Sequence, residues 1–237
     1  MLADIDGRAG VDAVYHLGDL VGYAPWPNET VELIRRRGIA GVAGNYDSTT
    51  ATDYQHCGCR YEDAEQERLS HLSYEWTRAH VSADTKRFLG SLPFRLDVWP
   101  RGGHQSGGPR LVLVHGTPTL NTLYWTEDRP GSFCGQMIAA AGARAGDVLA
   151  FGHTHLPWTR VVEGVRLVNT GSVGRPKDGD WRAGYVLLSL GDAEARAEFV
   201  RVRYDVERAI AAIRGSELPA AFAEQLRTGG RRETAAG

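Results

Sequence analysis

A single-domain α/β fold, two packed sheets with helices outside, is what the chain predicts, and three observations carry that expectation. Residues 13 to 45 alternate short apolar runs with a helical stretch, as a β-α-β unit does. The second half holds seven strand-like runs with few helices between them. A length of 237 residues with 42% hydrophobic content fills one sizeable core.

Taken in order, MLADIDGRAGVDA reads as the end of a helix followed by a polar turn. AVYHLGDL (13 to 20) is a buried strand broken by Gly18, with Asp19 at its C-terminal tip. Asn28 is placed to cap a helix over ETVELIRRR, stopped by Gly38, and IAGVAGN (39 to 45) reads as the next buried strand. Ser48 to Arg60 is a polar excursion. From Glu62 to about His80, Leu69, Leu72 and Trp76 recur at helical spacing, and Ser82 caps one more short helix. Then come the runs FRLDV, RLVLVH, DVLAFGH, TRVVEG, VRLVNTG, GYVLLSL and EFVRVRY, interrupted by a helix over about 132 to 143. Glu163-Gly164 reads as a tight hairpin turn. Val206 to Leu226 returns to helical periodicity, and 228 to 237 reads as a frayed end.

Composition excludes several classes of function. The chain has 27 basic and 29 acidic residues, a net charge of -2, so no overall field points to nucleic acid or an anionic membrane. It holds no apolar run near the ~20 residues that span a bilayer, and MLADIDG lacks the features of a signal peptide, which predicts a cytoplasmic protein. Three cysteines argue against a disulfide framework and agree with a reducing compartment. The His56-Cys57-Gly58-Cys59 run has an extra metal or redox site as one reading, but two thiols do not complete a tetrahedral zinc shell, which favours a structural or site-lining role.

The chemistry sits at strand ends. Asp19 in GDL, Asn45 in GNYD, His115 in VHGTP, and His153 with His155 in GHTH each follow an apolar run and stand close to a glycine. Strand tips of an open α/β sheet converge on one crevice. A carboxylate, an amide oxygen and three imidazoles form a mixed O/N set suited to Mn, Fe, Zn or Ni rather than calcium. Taken singly, a GD after a strand is most often a turn aspartate and a buried histidine a satisfied core residue; the ordered set is what carries weight. The pair in GHTH needs a loop, because alternate residues of an extended chain point to opposite sides. No G-x-S-x-G elbow or P-loop is present, and the H-x-H-x-D-H run of metallo-β-lactamases is ruled out by Leu156 and Pro157 after His155.

In this order the motifs GDLVGYAP, GNYD, VHGTP, GHTH and NTGSVGRP, spanning about Tyr15 to Tyr185, resemble the calcineurin-like metallophosphoesterases, and more closely their bacterial and archaeal phosphodiesterase-like branch. The resemblance implies a four-layer α/β/β/α sandwich of two mixed sheets, with motifs within 15–185 and further strands and helices over 186–227. It implies a hydrolase, a phosphodiesterase or phosphatase, that uses two divalent metal ions (Mn, Fe, Zn, Ni or Mg). Asp19 would bridge the two, Asn45, His115 and His153 would complete one shell, and His155 would serve the second metal. The implied catalytic set is Asp19, Asn45, Tyr46 and His115. The family's opening D-x-H motif has no counterpart before Asp19, which implies a missing first strand, one metal rather than two, and, as the alternative, a non-catalytic metal- or phosphate-binding module. Asp4 and Asp6 are read as surface residues.

Tyr46 stands where many relatives carry a histidine. An ordinary pKa near ~10 makes it a poor proton donor at neutral pH unless perturbed, and packing over the site is an equal reading. The glycine-rich loop from Gly171 to Asp180 carries Arg175 and Lys177, which with Asn45 and Tyr46 are candidates for binding phosphate; a plain surface turn is the alternative. Trp125, Trp158 and Trp181 are candidates for stacking on a nucleobase, with core packing the commoner role. The expected partner is a small phosphorylated or nucleotide-like substrate, not a membrane or a nucleic acid.

Overall fold

The computed structural model describes residues 1–59, 61, 63–100, 108–191 and 195–231. The elements run α1 (Leu2–Asp6), β1 (Tyr15–His16), α2 (Pro27–Arg36), β2 (Ala40–Gly41), α3 (Asn45–Ala51), α4 (Ala64–His80), α5 (Ala83–Ser91), β3 (Arg95–Val98), β4 (Leu111–Val114), α6 (Gly131–Ala141), β5 (Val148–Phe151), β6 (Trp158–Val162), β7 (Val165–Asn169), β8 (Ala183–Ser189), β9 (Arg196–Val202), α7 (Val206–Arg214) and α8 (Ala221–Thr228).

The central sheet has the order β3-β4-β5-β7-β6. Its middle strands β4, β5 and β7 are parallel, and β3 and β6 pair antiparallel at the edges. Parallel strands buried on both faces require apolar residues of both phases, and β4 and β5 show it. Val112, Val114, Leu149 and Phe151 point to one side, where Cys134, Met137 and Ile138 of α6 cover them. Leu111, Leu113, Val148 and Ala150 point to the other, against Val42, Tyr15, Leu17, Val186 and Leu188. The second layer therefore comprises the parallel pair β1–β2 and the antiparallel ribbon β8–β9. Outside it a helical layer packs Val31, Tyr74, Val81 and Leu89 around Tyr46. In this mixed α/β architecture β1 ends just before Asp19 and β2 just before Asn45, while β4 and β5 deliver His115 and His153.

Glu163 and Gly164 form the hairpin between β6 and β7, both with positive φ (51° and 75°), the backbone of a type I′ turn. Ser82 caps α5, its hydroxyl accepting from Thr85 N at 3.1 Å. Ser82→Ala is expected to cost about 1 kcal/mol, read by denaturant unfolding, with metal binding unchanged. An unaltered midpoint would show that the Asn28 contact to Ser82 N holds this corner by itself.

Three details differ from expectation. Asn28 does not cap α2: Trp26 occupies that position with Pro27 at the first helical residue, and the Asn28 amide accepts from Ser82 N and donates to His80 O. The polar stretch after Asn45 is not all excursion, because it opens with α3, whose polar sequence NYDSTTA hides the helix from any hydrophobic periodicity. On α4 the buried stripe is Leu69, Ser70, Ser73, Tyr74 and Thr77, while Leu72 is exposed. Asp4 and Asp6 lie at the surface in ion pairs with Arg8 and Arg37. Glu62 and the tail beyond Arg231 lie outside the described residues. No helix among the described residues is long and apolar enough to cross a membrane.

Candidate metal centre

Two loops meet before any side chain is considered. A Cβ on Gly18 would lie 2.2 Å from Gly44 N, and one on Gly44 would lie 2.0 Å from Asp19 Oδ1, so only glycine lets the loops after β1 and β2 touch. Asp19 follows at φ 53°, and its Oδ1 accepts from Tyr46 N at 3.0 Å. Asp47, fully buried, ties the loops together: Oδ1 accepts from Leu20 N and Oδ2 from Gly44 N, each at 2.9 Å. The GHTH loop meets its own geometric demand with left-handed backbone at His153 (φ 64°) and His155 (φ 62°), which turns both imidazoles to the same cavity. Buried Asn169 holds that loop, donating to Gly152 O and Thr154 Oγ1 at 2.9 Å each and accepting from Gly171 N at 3.0 Å.

His115 Nε2 is the point of convergence. It lies 3.1 Å from Asn45 Oδ1, 3.1 Å from His153 Nδ1 and 3.3 Å from Asp19 Oδ2. The partners on the far sides fix which atoms face inward. His115 Nδ1 lies 2.6 Å from Leu17 O, a contact that only an N–H makes, so a neutral ring presents the Nε2 lone pair. Asn45 donates through Nδ2 to Cys57 O at 2.9 Å, so its oxygen faces His115. Electron-rich atoms thus point at one another in a buried site, an arrangement that a shared proton or a cation must relieve. Among the described residues, His153 Nε2 is buried without a hydrogen-bond partner. Asp19, His115 and His153 offer ligand atoms all within 4.8 Å of one another, and with the Asn45 oxygen this O/N set fits a divalent transition metal.

The electrostatics follow. Burial acts to raise the Asp19 carboxyl, and the adjacent His115 overrides it, holding Asp19 at about 2. Burial acts to lower His115, but Asp19 raises it above the ordinary value. Burial and the neighbouring His115 bring His153 down to about 4. Burial, then Lys177 and Arg175, hold His155 well below the usual imidazole range. Burial followed by the Asp19 charge lifts Asp47 to about 7.

His155 stands apart from the Asp19, His115 and His153 group. Its Nδ1 contacts Arg175 O at 2.6 Å, and it lines the same cleft as Arg175 and Lys177. The space open to water in that cleft is small, about 30 Å³, room for a few water molecules. Tyr46 also lines it, but is 1% exposed, donates to Ser70 O at 3.4 Å, and is pushed well above the usual phenol range by burial. Residue patterns gave no sign of Tyr23, Tyr61 and Tyr124, which supply much of the cleft wall. Trp125 and Trp158 are core residues, Trp125 stacked on Phe151 at 4.3 Å, and Trp181 packs on Tyr204. None of these three tryptophans lines the cleft.

Cys57 and Cys59 are joined in a disulfide, contrary to the expectation from cysteine count: an odd total does not prevent a local pair in C-G-C. Cys59 lines the cleft, and its Sγ accepts from Asn45 Nδ2 at 3.4 Å. Replacing both by serine is expected to lower stability by about 1–2 kcal/mol, low in the range for disulfides because the closed loop is short. Metal stoichiometry should hold, because the shorter Asn45 contact goes to the Cys57 carbonyl. Thermal unfolding and metal analysis of the double variant check this, and loss of stoichiometric metal from a folded protein would overturn it.

Comparison with known proteins gives the family and the fold. Residues 1–193 match the calcineurin-like phosphoesterase superfamily domain. An uncharacterized protein of Methanocaldococcus jannaschii is 28% identical over 245 residues, covering 95% of this chain and 90% of its own. The crystal structure of a metallophosphoesterase from Sphaerobacter thermophilus superposes with a TM-score of 0.72 at 27% identity, covering 96% of this chain and 91% of that one. A hypothetical protein from Pyrococcus horikoshii shares the fold, with a TM-score of 0.77 at 20% identity over 98% of this chain and 90% of its own. With its family domain matched over most of its length and an Asp/His/His site at the strand tips, the chain belongs to the calcineurin-like phosphoesterase superfamily.

Proposed function

We propose that this protein hydrolyses small phosphodiesters or nucleotide-like phosphate esters with a water activated at the Asp19, Asn45, His115 and His153 site. The observation that carries the reading is the convergence of the Asp19, Asn45 and His153 ligand atoms within 3.3 Å of His115 Nε2, in a cleft shared with His155, Arg175 and Lys177. Asp19, Asn45, His115 and His153 would hold a divalent cation there, which would supply Lewis-acid polarisation of the phosphoryl group and a lowered pKa for water.

The chain's own groups do the rest. Leu17 O and Cys57 O orient His115 and Asn45 as ligands, and Arg175 O orients His155 so that its Nε2 faces the cleft. Arg175 and Lys177 supply positive charge for the anionic ester. Tyr46 is a poor proton donor in this reading, because burial raises its phenol further above the usual range; that suits a wall over the site and favours substrates with good leaving groups. The preference for diesters rests on this absence of a histidine general acid.

Metal analysis combined with a panel of aryl phosphomonoesters and phosphodiesters tests the reading. Hydrolysis should require added Mn, Fe, Zn, Ni or Mg, stop on chelation, and favour the diesters. A protein that binds metal stoichiometrically yet turns over neither class would be a metal- or phosphate-binding module instead.

A further inference from the structure

The loop that carries Arg175 and Lys177 is held from outside the region matched to the family. Helix α8 and its end, residues 221–230, lie beyond residue 193 and pack directly on that loop. Arg175 Nη2 donates to Gln225 Oε1 at 2.9 Å, and the guanidinium lies 3.7 Å from the Tyr23 ring centre and 5.8 Å from that of Phe222. Tyr23 is itself fixed, its N donating to Ser73 Oγ at 3.0 Å and its ring meeting Phe222 edge-on at 5.2 Å. Arg175 Nε is buried and has no hydrogen-bond partner among the described residues.

The end of α8 grips the same loop by backbone. Gly179 N donates to Gly229 O at 2.9 Å. Gly230 has φ 78°, and a Cβ there would lie 2.5 Å from Pro176 O and 2.7 Å from Lys177 Cα. Two consecutive glycines therefore allow the helix end to lie flush against residues 176–180.

We propose that α8 is a specificity element: Gln225, Phe222 and Gly230 are positioning residues that hold the Arg175 guanidinium as a preformed receptor for the anionic part of the substrate. This rests on the phosphoester reading of the site. An arginine free in solvent would lose rotamer freedom on gripping an oxyanion, whereas one already clamped between Tyr23, Phe222 and Gln225 has lost most of it beforehand.

The test is calorimetric titration of inorganic phosphate into the Mn²⁺-loaded full chain, with phosphoester kinetics beside it. Arg175→Gln should weaken phosphate by roughly tenfold or more. Gln225→Ala, which removes no group from the cleft, should weaken it roughly three- to tenfold and raise KM with kcat unchanged. Gly230→Ala should act in the same direction by displacing the loop. In an Arg175→Gln background, Gln225→Ala should have no further effect, since the two act through one group. Equal losses in both backgrounds, or wild-type phosphate affinity in Gln225→Ala, would sink the inference while leaving the hydrolase reading intact. A fall in metal content or kcat together with the affinity would mean general loosening and would also overturn it. If the wild-type loaded protein binds no phosphate and turns over no ester, the hydrolase reading fails and this role fails with it.

Discussion

His153→Ala is expected to abolish stoichiometric metal binding while leaving a folded protein. His153 Nδ1 is one of three atoms around His115 Nε2, and its ring is buried against Tyr124 at 4.5 Å between centres. Deleting an imidazole from such a set removes a ligand outright. Because even outer partners of ligands are worth ten- to a hundredfold in affinity, the loss should exceed roughly a hundredfold. The left-handed backbone at φ 64° is common to histidine and alanine, so the variant should unfold at a somewhat lower temperature without metal chiefly through the lost packing on Tyr124. The decisive readout is the response to Mn²⁺. A cation that binds only the folded state raises its stability in proportion to the logarithm of concentration over Kd, so the wild-type midpoint should climb with added metal. The variant's midpoint should stay flat over the same range. Unchanged metal per chain in His153→Ala would show that the cluster is a hydrogen-bonded core and not a metal site.

The reach of sequence reasoning here follows from which interactions are local. RLVLVH and DVLAFGH announce strands buried on both faces, because uninterrupted apolar residues have no other use at that length. The grouping of Asp19, Asn45, His115 and His153 was legible because each follows a strand and stands close to a glycine that permits close approach, a signal carried within three or four residues. The cleft wall was not. Tyr23, Tyr61 and Tyr124 come from segments with no shared pattern, and Trp125 and Trp158 look the same in sequence as a stacking aromatic although they fill the core under Phe151. Helix α3 escaped notice because only Tyr46 and Ala51 of NYDSTTA are apolar, too few to show a period, although Tyr46 is buried at the centre of a core cluster. The role of Arg175 could be suspected from its charge, but its clamp comes from Gln225, fifty positions away.

The same distinction bears on Asp47, whose place in GNYD marks it only as a turn residue, yet whose replacement by alanine is expected to be among the most costly in the protein. Its two oxygens accept from Leu20 N and Gly44 N, one donor on each of the loops that carry Asp19 and Asn45. Alanine would leave both donors without their partner at a position where the carboxylate is fully buried. Each stranded buried donor costs about 1–3 kcal/mol, so the variant should lose ~2–6 kcal/mol before any relaxation or water entry. The damage should reach the metal as well, since the contact between Gly18 and Gly44 that sets the Asp19 to Asn45 geometry is what those two hydrogen bonds secure. Asp47→Asn separates the two effects. It keeps one acceptor and nearly the same volume, so it should recover part of the stability, but its amide nitrogen must face one of the two N–H groups. Denaturant unfolding together with metal affinity across wild type, Asp47→Asn and Asp47→Ala should therefore fall in that order for both quantities. A variant that lost stability while holding metal at wild-type affinity would show that the two loops keep their geometry without this carboxylate, and that Asp47 contributes to stability alone.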